Sequence, residues 1–309
     1  MIVTSSKLHR RPRVHVRTFL LPILFLLPAL LLWIVFMAFP LFNAVLLSFR
    51  SWDGLRPAIW IGFKNYGNLL SDRIFLIALR NTAYFVVATV LFQSTIPLLV
   101  ANLVNSGVRG STVFRTIYFM PVVISLAITG MLWSIIYEPN FGILNSLLNA
   151  VGLKGLTKLW LADKNLVIPS LIVVSIWQSL GFYLVIYFAG LQGIPRELYE
   201  AAEIDGANAW QRLIRVTVPL LAPVTTVVIV LNTINGIKTF DQIWVMTAGG
   251  PNHASDTLGT YLYTIAFGAA GSSNPQLGYA SAIGMVILGL AFIFSLIQIR
   301  LGQAQETEY

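Results

Sequence analysis

The sequence predicts an all-α integral membrane protein that crosses the bilayer six times. Two observations predict it: a shortage of charge, and the collection of that charge into short segments separated by six long gaps. Of 309 residues, 57% are apolar and 10% are charged, where an ordinary soluble domain carries about 25% charged residues. A soluble chain this long needs a solvated charged shell, and this composition cannot supply one. A cytosolic enzyme, a disordered protein and a disulfide scaffold are therefore excluded. There is no Cys, so neither a disulfide nor a thiolate metal site is available. A net charge of +8 invites nucleic acid as a partner. A mean hydropathy of +0.77 assigns the basic residues instead to the flanks of membrane spans, with membrane lipid and no nucleic acid around them.

A membrane-crossing helix needs about 20 mostly apolar residues. Only six charge-free gaps are that long: Thr18–Phe49, Asn81–Val108, Thr116–Tyr137, Asn165–Pro195, Val216–Ile237 and Thr257–Ile299. The first follows Lys7, Arg10, Arg11, Arg13 and Arg17, so it has the basic flank of a signal peptide. Its apolar stretch runs well past the about 7–15 residues of a signal core and has no small-x-small cleavage site, which predicts a retained helix. The last gap opens with Gly268, Gly271, Ser272, Ser273, Asn274 and Pro275, which places its span at Gly278–Ile299. Residues 139–153, rich in Asn, Gly and Leu, read as a loop with a short interfacial helix. The expected organisation is a basic cytoplasmic tail at 1–17, a six-span domain at 18–300 and a cytoplasmic tail at 301–309. Outer polar loops fall near 50–75, 138–165 and 240–275, and a polar inner segment near 191–217. Orientation rests on Lys and Arg. With both termini in the cytoplasm, eleven of the twenty lie inside, and the five before the first span decide the direction.

The inner segment carries the most information. Pro195 suits a first helical position, where a missing N–H costs nothing. Glu197 lies in the first turn, favoured by the helix dipole. Gly206 suits the left-handed turn that ends a helix. A second amphipathic run follows, with Trp210, Leu213, Ile214 and Thr217 on one face, and Pro219 interrupts it at the entry to the fifth span. The local expectation is helix, glycine turn, helix at the cytoplasmic surface. It holds four of the twelve acids: Glu197, Glu200, Glu203 and Asp205. Membrane-surface helices are usually rich in Lys and Arg, so this mixed-charge pair suits docking into a protein groove better. A solvated loop that only settles topology is the plainer reading.

Glu200-Ala201-Ala202, three residues, Gly206, nine residues and Val216-x-Val218-Pro219 resemble the EAA motif of ABC importer permeases. The family pattern ends Ile-x-Leu-Pro, and this chain has Val at both aliphatic positions. Further stretches are similar to the first permease of carbohydrate importers of the maltose and glycerol-phosphate type. They are Gly62-Phe63-Lys64-Asn65-Tyr66, Phe114 through Pro121, Trp133 through Asn145 with Tyr137, Pro139 and Gly142, Phe240-Asp241-Gln242-Ile243, Thr247-Ala248-Gly249-Gly250-Pro251, Tyr261-x-Tyr263 and Ala266-Phe267. The resemblance covers residues 20 to 300. It implies a type I ABC importer fold in the cytoplasmic (inner) membrane of a bacterium. It also implies a second, similar permease, two cytoplasmic ATP-binding subunits and an extracytoplasmic solute-binding protein. The inner segment would be the coupling helix: Glu200 pairing with a basic group, Ala201 and Ala202 allowing close approach, Gly206 making the turn beside Asp205. ATP and Mg would sit on the partner subunit, with no cofactor on this chain. Transport of a sugar or polyol would follow alternating access.

What the chain lacks fits that division. It has no Gly-Lys pair and so no phosphate-binding P-loop, no His-Glu-x-x-His and no Gly-x-Ser-x-Gly. It is not expected to be an enzyme. Polar residues inside the spans are expected to face a cavity or another helix. In the fifth span Asn232, Asn235, Thr239 and Gln242 fall at i, i+3, i+7 and i+10, a single stripe, with Gly236 beside it. Amides and hydroxyls both donate and accept, which suits a neutral polyol; hydrogen bonding between helices is the alternative use. The fourth span adds Ser175, Gln178, Ser179 and Tyr183, with Trp177 and Tyr183 able either to stack on sugar C–H faces or to sit as interfacial aromatics. Gln93, ahead of Pro97, is a further candidate. Ion-coupled carriers usually keep ionisable residues within their spans. Here only Lys238 and Asp241 come near, which weighs against an ion-coupled secondary transporter or channel, the rival reading.

Overall fold

A computed structural model describes residues 16–105, 111–268 and 274–306. Most of the basic tail, Arg109, Gly271, Ser272, Ser273 and residues 307–309 lie outside the described residues. The chain divides into two units, residues 1–46 and 47–309. In the first, α1 (Val16–Trp33) passes through a wide turn at Ile34–Ala38 into α2 (Phe39–Ser48). The N–H of Phe39 reaches back five residues to the carbonyl of Ile34. The pitch widens one residue before Pro40, which has no N–H to give.

In the second unit a two-residue hairpin, β1 (Arg50–Ser51) with β2 (Ile59–Trp60), and α3 (Lys64–Ser71) lead to α4 (Arg73–Asn105). Then come α5 (Ser111–Val123), α6 (Leu126–Ile136), α7 (Ile143–Ala150), α8 (Val167–Gln192), α9 (Arg196–Ile204) and α10 (Ala209–Arg212). The order ends with α11 (Val218–Leu220), α12 (Ala222–Ile237), α13 (Asp241–Thr247), α14 (Leu258–Phe267) and α15 (Leu277–Glu306). Residues 25–48, 73–104, 167–192 and 277–302 are each long and apolar enough to cross a bilayer, and two bent helix pairs bring the possible count to six. That fits the six gaps of the sequence.

The third and fifth spans are not the straight helices the gaps suggested. The third breaks between α5 and α6 with a bend of 107°. Ser125 is extended there (ψ 148°) and its hydroxyl accepts the N–H of Ile128, so it caps α6 as a new helix. The fifth bends by 71° at Leu221, between Pro219 and Pro223. The expected interruption is present, two residues beyond Pro219. The run before it does not keep the single face read from the sequence. A wide turn at Leu213–Thr217 resets the register, burying Leu213 and Thr217 and leaving Trp210 and Ile214 exposed. The outer loops also hold more structure than expected: the helices α13 and α14 occupy nearly half of the segment read as a polar loop at 240–275. Pro195 precedes α9 in an extended conformation rather than opening it.

Packing within this unit centres on α4 lying along α8, with α12 between α4 and α15. One apolar cluster joins Phe85, Tyr137, Leu171, Ile243 and Met246. A second joins Phe75, Leu258, Tyr261 and Ile283. A third, towards the inner segment, joins Ala101, Tyr183, Leu184, Tyr187, Leu221 and Val228. Gly181 lets α8 touch α5, because a β-carbon there would collide with the carbonyl of Tyr118.

Candidate functional site

Two features stand apart from the packed core: a polar cavity between spans, and the exposed inner loop. The cavity has a volume of about 310 Å³. Of the span residues singled out from the sequence, Gln93, Ser175, Gln178, Ser179, Tyr183, Asn232, Asn235, Gly236, Thr239 and Gln242 line it and Trp177 does not. Three helices each give a stripe at helical spacing. α4 presents Phe85, Thr89 and Gln93; α8 presents Ser175, Gln178, Ser179 and Tyr183; α12 presents Asn232, Asn235 and Gly236. Gly236 closes the α12–α4 side, since a β-carbon there would stand 2.9 Å from Val86 Cγ2.

The polar lining divides into groups already engaged and groups left free. Gln93 Nε2 donates to Ser175 Oγ at 3.1 Å, joining α4 to α8. The hydroxyls of Thr89 and Ser179 donate back to the carbonyls of Phe85 and Ser175, leaving their lone pairs for another donor. Asn232 is different. It is 2% exposed, and its Nδ2 has no hydrogen-bond partner. An unpaired buried amide is costly, and this one lines a cavity of small-ligand size. Lys238 and Asp241, both exposed, stand at the edge of the lining with Phe240.

One part of the sequence reading is corrected here. The α12 stripe does not run on to Thr239 and Gln242. α12 ends at Ile237, Thr239 lies in the link after it, Phe240 has φ −145°, and Gln242 belongs to α13. It still reaches the cavity wall, but its amide is spent on the carbonyl of Leu171 at 2.8 Å. Trp177 does not line the cavity; it packs edge-on against Trp133 with ring centroids 5.6 Å apart. Thr89 was not singled out beforehand, and Phe240 only within a motif, not as a cavity residue. The four-residue step Phe85–Thr89–Gln93 is the signal that finds the first.

The inner loop is local and self-defining. α9 ends as a Schellman turn, with Ala207 N–H on the carbonyl of Ala202 (2.9 Å) and Gly206 N–H on that of Glu203 (3.0 Å). Gly206 has φ +79°, a conformation L-residues with a β-carbon avoid. Asn208 then caps α10 reciprocally with Gln211, at 2.9 and 2.8 Å. One face of α9 is tied down: Tyr199 hydroxyl meets Thr217 Oγ1 at 3.1 Å, and Glu203 pairs with Arg212 at 3.2 Å. The opposite face, Glu197, Glu200, Ala201 and Ile204 at i, i+3, i+4 and i+7, is exposed. Glu200 and Asp205 make no side-chain bond to the described residues. Ile204 is 86% exposed and was not picked from the sequence, where an aliphatic in a charged helix reads as its buried side.

A broken-helix transmembrane bundle with a polar cavity and a rigid inner helix pair defines the membrane component of a transport system. The chain belongs to the family described as binding-protein-dependent transport system inner membrane component, whose pattern matches residues 73–305. It is 38% identical over 284 residues to a probable ABC transporter permease, YurN, of Bacillus subtilis, covering 91% of this chain and 95% of that one. It is 34% identical to the multiple sugar-binding transport system permease MsmF of Streptococcus mutans, over 91% and 95% of the two chains. Among solved structures it is similar to a chain of a bacterial ABC transporter involved in import of the acidic polysaccharide alginate. That match has a TM-score of 0.80 and 26% identity, and it covers 93% of this chain and 96% of that chain. The protein is thus a multi-pass component of the cytoplasmic membrane. The same membership sets aside the ion-coupled carrier.

Proposed function

We propose that this chain is the permease of an ATP-driven importer for a neutral sugar or polyol, and that the cavity between α4, α8 and α12 is a station on the substrate's path. The buried, unpaired amide of Asn232 carries the reading. A donor held without a partner beside Gln178, Asn235 and Thr239 suits a ligand made of hydroxyls, each of which both donates and accepts. Relatives whose names specify sugars support the class: MsmF, and the arabinooligosaccharides permease AraP of Halalkalibacterium halodurans at 32% identity. The alginate transporter has been solved with an oligosaccharide-loaded periplasmic protein, which supports a solute-binding partner here.

ATP hydrolysis then belongs to separate subunits, two copies docked on the cytoplasmic side, with a second permease completing the pathway. The exposed face of α9 is the docking surface. Glu200 meets a basic group, Ala201 and Ala202 allow close approach, and Asp205–Gly206 hold the turn. Because Tyr199 and Glu203 fasten α9 to the segment entering α12, movement of the ATP-binding subunits is passed as a rigid shift to the helix that carries Asn232 and Asn235. The transporter alternates between inward- and outward-open states, and the loaded binding protein favours the outward one.

The test is uptake of labelled sugars by the reconstituted transporter carrying Asn232→Leu, with ATPase activity followed in parallel. A fall in uptake of about tenfold with ATPase assembly intact supports the cavity. Unchanged uptake and unchanged selectivity across neutral sugars overturns it.

A further inference from the structure

The outer segment between the third and fourth spans is built as a surface element with its apolar side turned out. α7 is held to its own loop by one residue. Asn145, buried, donates through Nδ2 to the carbonyls of Pro139 and Lys158, both at 3.1 Å, and its Oδ1 accepts the indole N–H of Trp160 at 2.8 Å. The helix is thus fixed by Asn145 and by Leu144, which packs against the cluster of Tyr137 and Leu171. Ile143, Leu147 and Val151, at steps of four, face outward and are 64%, 59% and 60% exposed, next to exposed Phe141.

The depth of this element is set by the helices it adjoins. Ser170, in the first turn of α8, donates to the carbonyl of Trp160, and Tyr137, closing α6, donates to the carbonyl of Ser170. α7 therefore stands level with the ends of two membrane-spanning elements, where the hydrocarbon gives way to headgroups. The charge is sorted as well. Glu138 spends its carboxylate on the N–H groups of Asn140 and Phe141 at 2.6 and 2.7 Å, and Asp163 on that of Asn165 at 2.7 Å. Lys154, Lys158 and Lys164 are exposed and form no ion pair with the described residues. An apolar stripe with lysines beside it is the composition of a helix lying in a lipid interface.

We propose that α7 and the turn after it lie in the outer leaflet, with Ile143, Leu147 and Val151 among acyl chains and Lys154, Lys158 and Lys164 on the phosphates of anionic lipids. The three unpaired lysines beside the exposed stripe are complementary in charge to such headgroups.

The chain has no Cys, so Leu147→Cys and Asn149→Cys each provide a single nitroxide site. Asn149 lies on the polar flank of the same helix and serves as the reference. The measurement is made on the complete transporter, with cysteines of the other subunits removed, in bilayers of phosphatidylglycerol with phosphatidylcholine and of phosphatidylcholine alone. Collision with oxygen should dominate at Leu147 and collision with a water-soluble nickel chelate at Asn149. The Leu147 label should sit deeper in the anionic bilayer, and the Lys154→Gln, Lys158→Gln, Lys164→Gln variant should abolish that difference. A Leu147 label as aqueous as Asn149 overturns the proposal. So does one shielded from both reagents, which would mean that a protein covers the stripe, or one whose depth ignores lipid charge.

Discussion

The inner loop and the outer loop between α13 and α14 are both short turns joining helices, yet they satisfy their polar groups in opposite ways. The outer loop closes on itself and on α4. Asn81 donates from α4 to the carbonyls of Ala254 and Asp256, both at 3.0 Å, and Thr82 Oγ1 accepts the N–H of Leu258 at 3.0 Å. Thr260 donates to Asp256 at 2.9 Å, and His253 meets the same carboxylate at 2.6 Å. The inner loop secures one face of α9 and leaves Glu197, Glu200, Ala201 and Ile204 in the open. A loop that spends its polar groups internally is a strut. A loop ordered in backbone but unspent in side chains keeps its polar groups available to a partner, which is the basis of the docking role proposed for α9.

That contrast can be broken from either end. The largest effect is expected from Gly206→Pro. Proline fixes φ near −65° where the turn needs +79°. The strain is about 1–3 kcal/mol locally, and loss of the α9 orientation should abolish coupled ATPase while thermal unfolding of the outer half is unchanged. Asn81→Leu should do the reverse. Two buried carbonyls lose their donor, about 2–4 kcal/mol together, so the melting temperature falls while association with the ATP-binding subunit persists. Asn232→Leu sharpens the comparison for the cavity. Its Nδ2 has no partner to lose, so stability should hold or rise, by up to about 1–3 kcal/mol as the unsatisfied donor is removed, even as uptake falls; a large drop in melting temperature would assign Asn232 to structure.

The smallest effects are in pH dependence. Burial pushes the Asp256 carboxyl above the usual carboxylate value, against the hydrogen bonds of His253 and Thr260. Its contribution to stability is full below the ordinary value and is lost as pH rises through the raised one. For Asp72, burial opposes ionisation, but the hydroxyls of Tyr261 and Tyr279 and the N–H groups of Phe75 and Ile74 prevail and hold the carboxyl low. Its contribution is present above the ordinary value and lost as pH falls through the lowered one. Melting temperature against pH should therefore lose its upper slope in Asp256→Asn and its lower slope in Tyr261→Phe with Tyr279→Phe.

How far the sequence reaches depends on how local each feature is. The spans were legible as charge-free gaps because hydrocarbon excludes charge wherever a helix crosses it. The glycine turn of the inner loop was legible because it depends on one local residue, Gly206, at the end of α9; the reciprocal cap of Asn208 and Gln211 and the wide turn at Leu213–Thr217 were not read from the sequence. The break in the third span was not, since Ser125 changes neither charge nor length of the gap and acts only by capping α6. α13 and α14 were hidden for a similar reason: glycine and proline punctuate that stretch, and the polar network that orders it comes from Asn81 and Thr82, over 170 residues away. The cavity lies between these cases. Each stripe is a local period on one helix, but the convergence of α4, α8 and α12 on one space, and the solitary state of Asn232 within it, exist only in three dimensions.

The docking role of the inner loop is tested most directly by affinity purification of this chain from its native membrane, wild type against Glu200→Ala with Gly206→Pro, with mass spectrometry and an ATPase assay. The expected result is an ATP-binding subunit that accompanies the wild type with ATPase activity and is lost or uncoupled in the variant. A chain that purifies alone, has no ATPase and carries solute under an ion gradient would contradict the account.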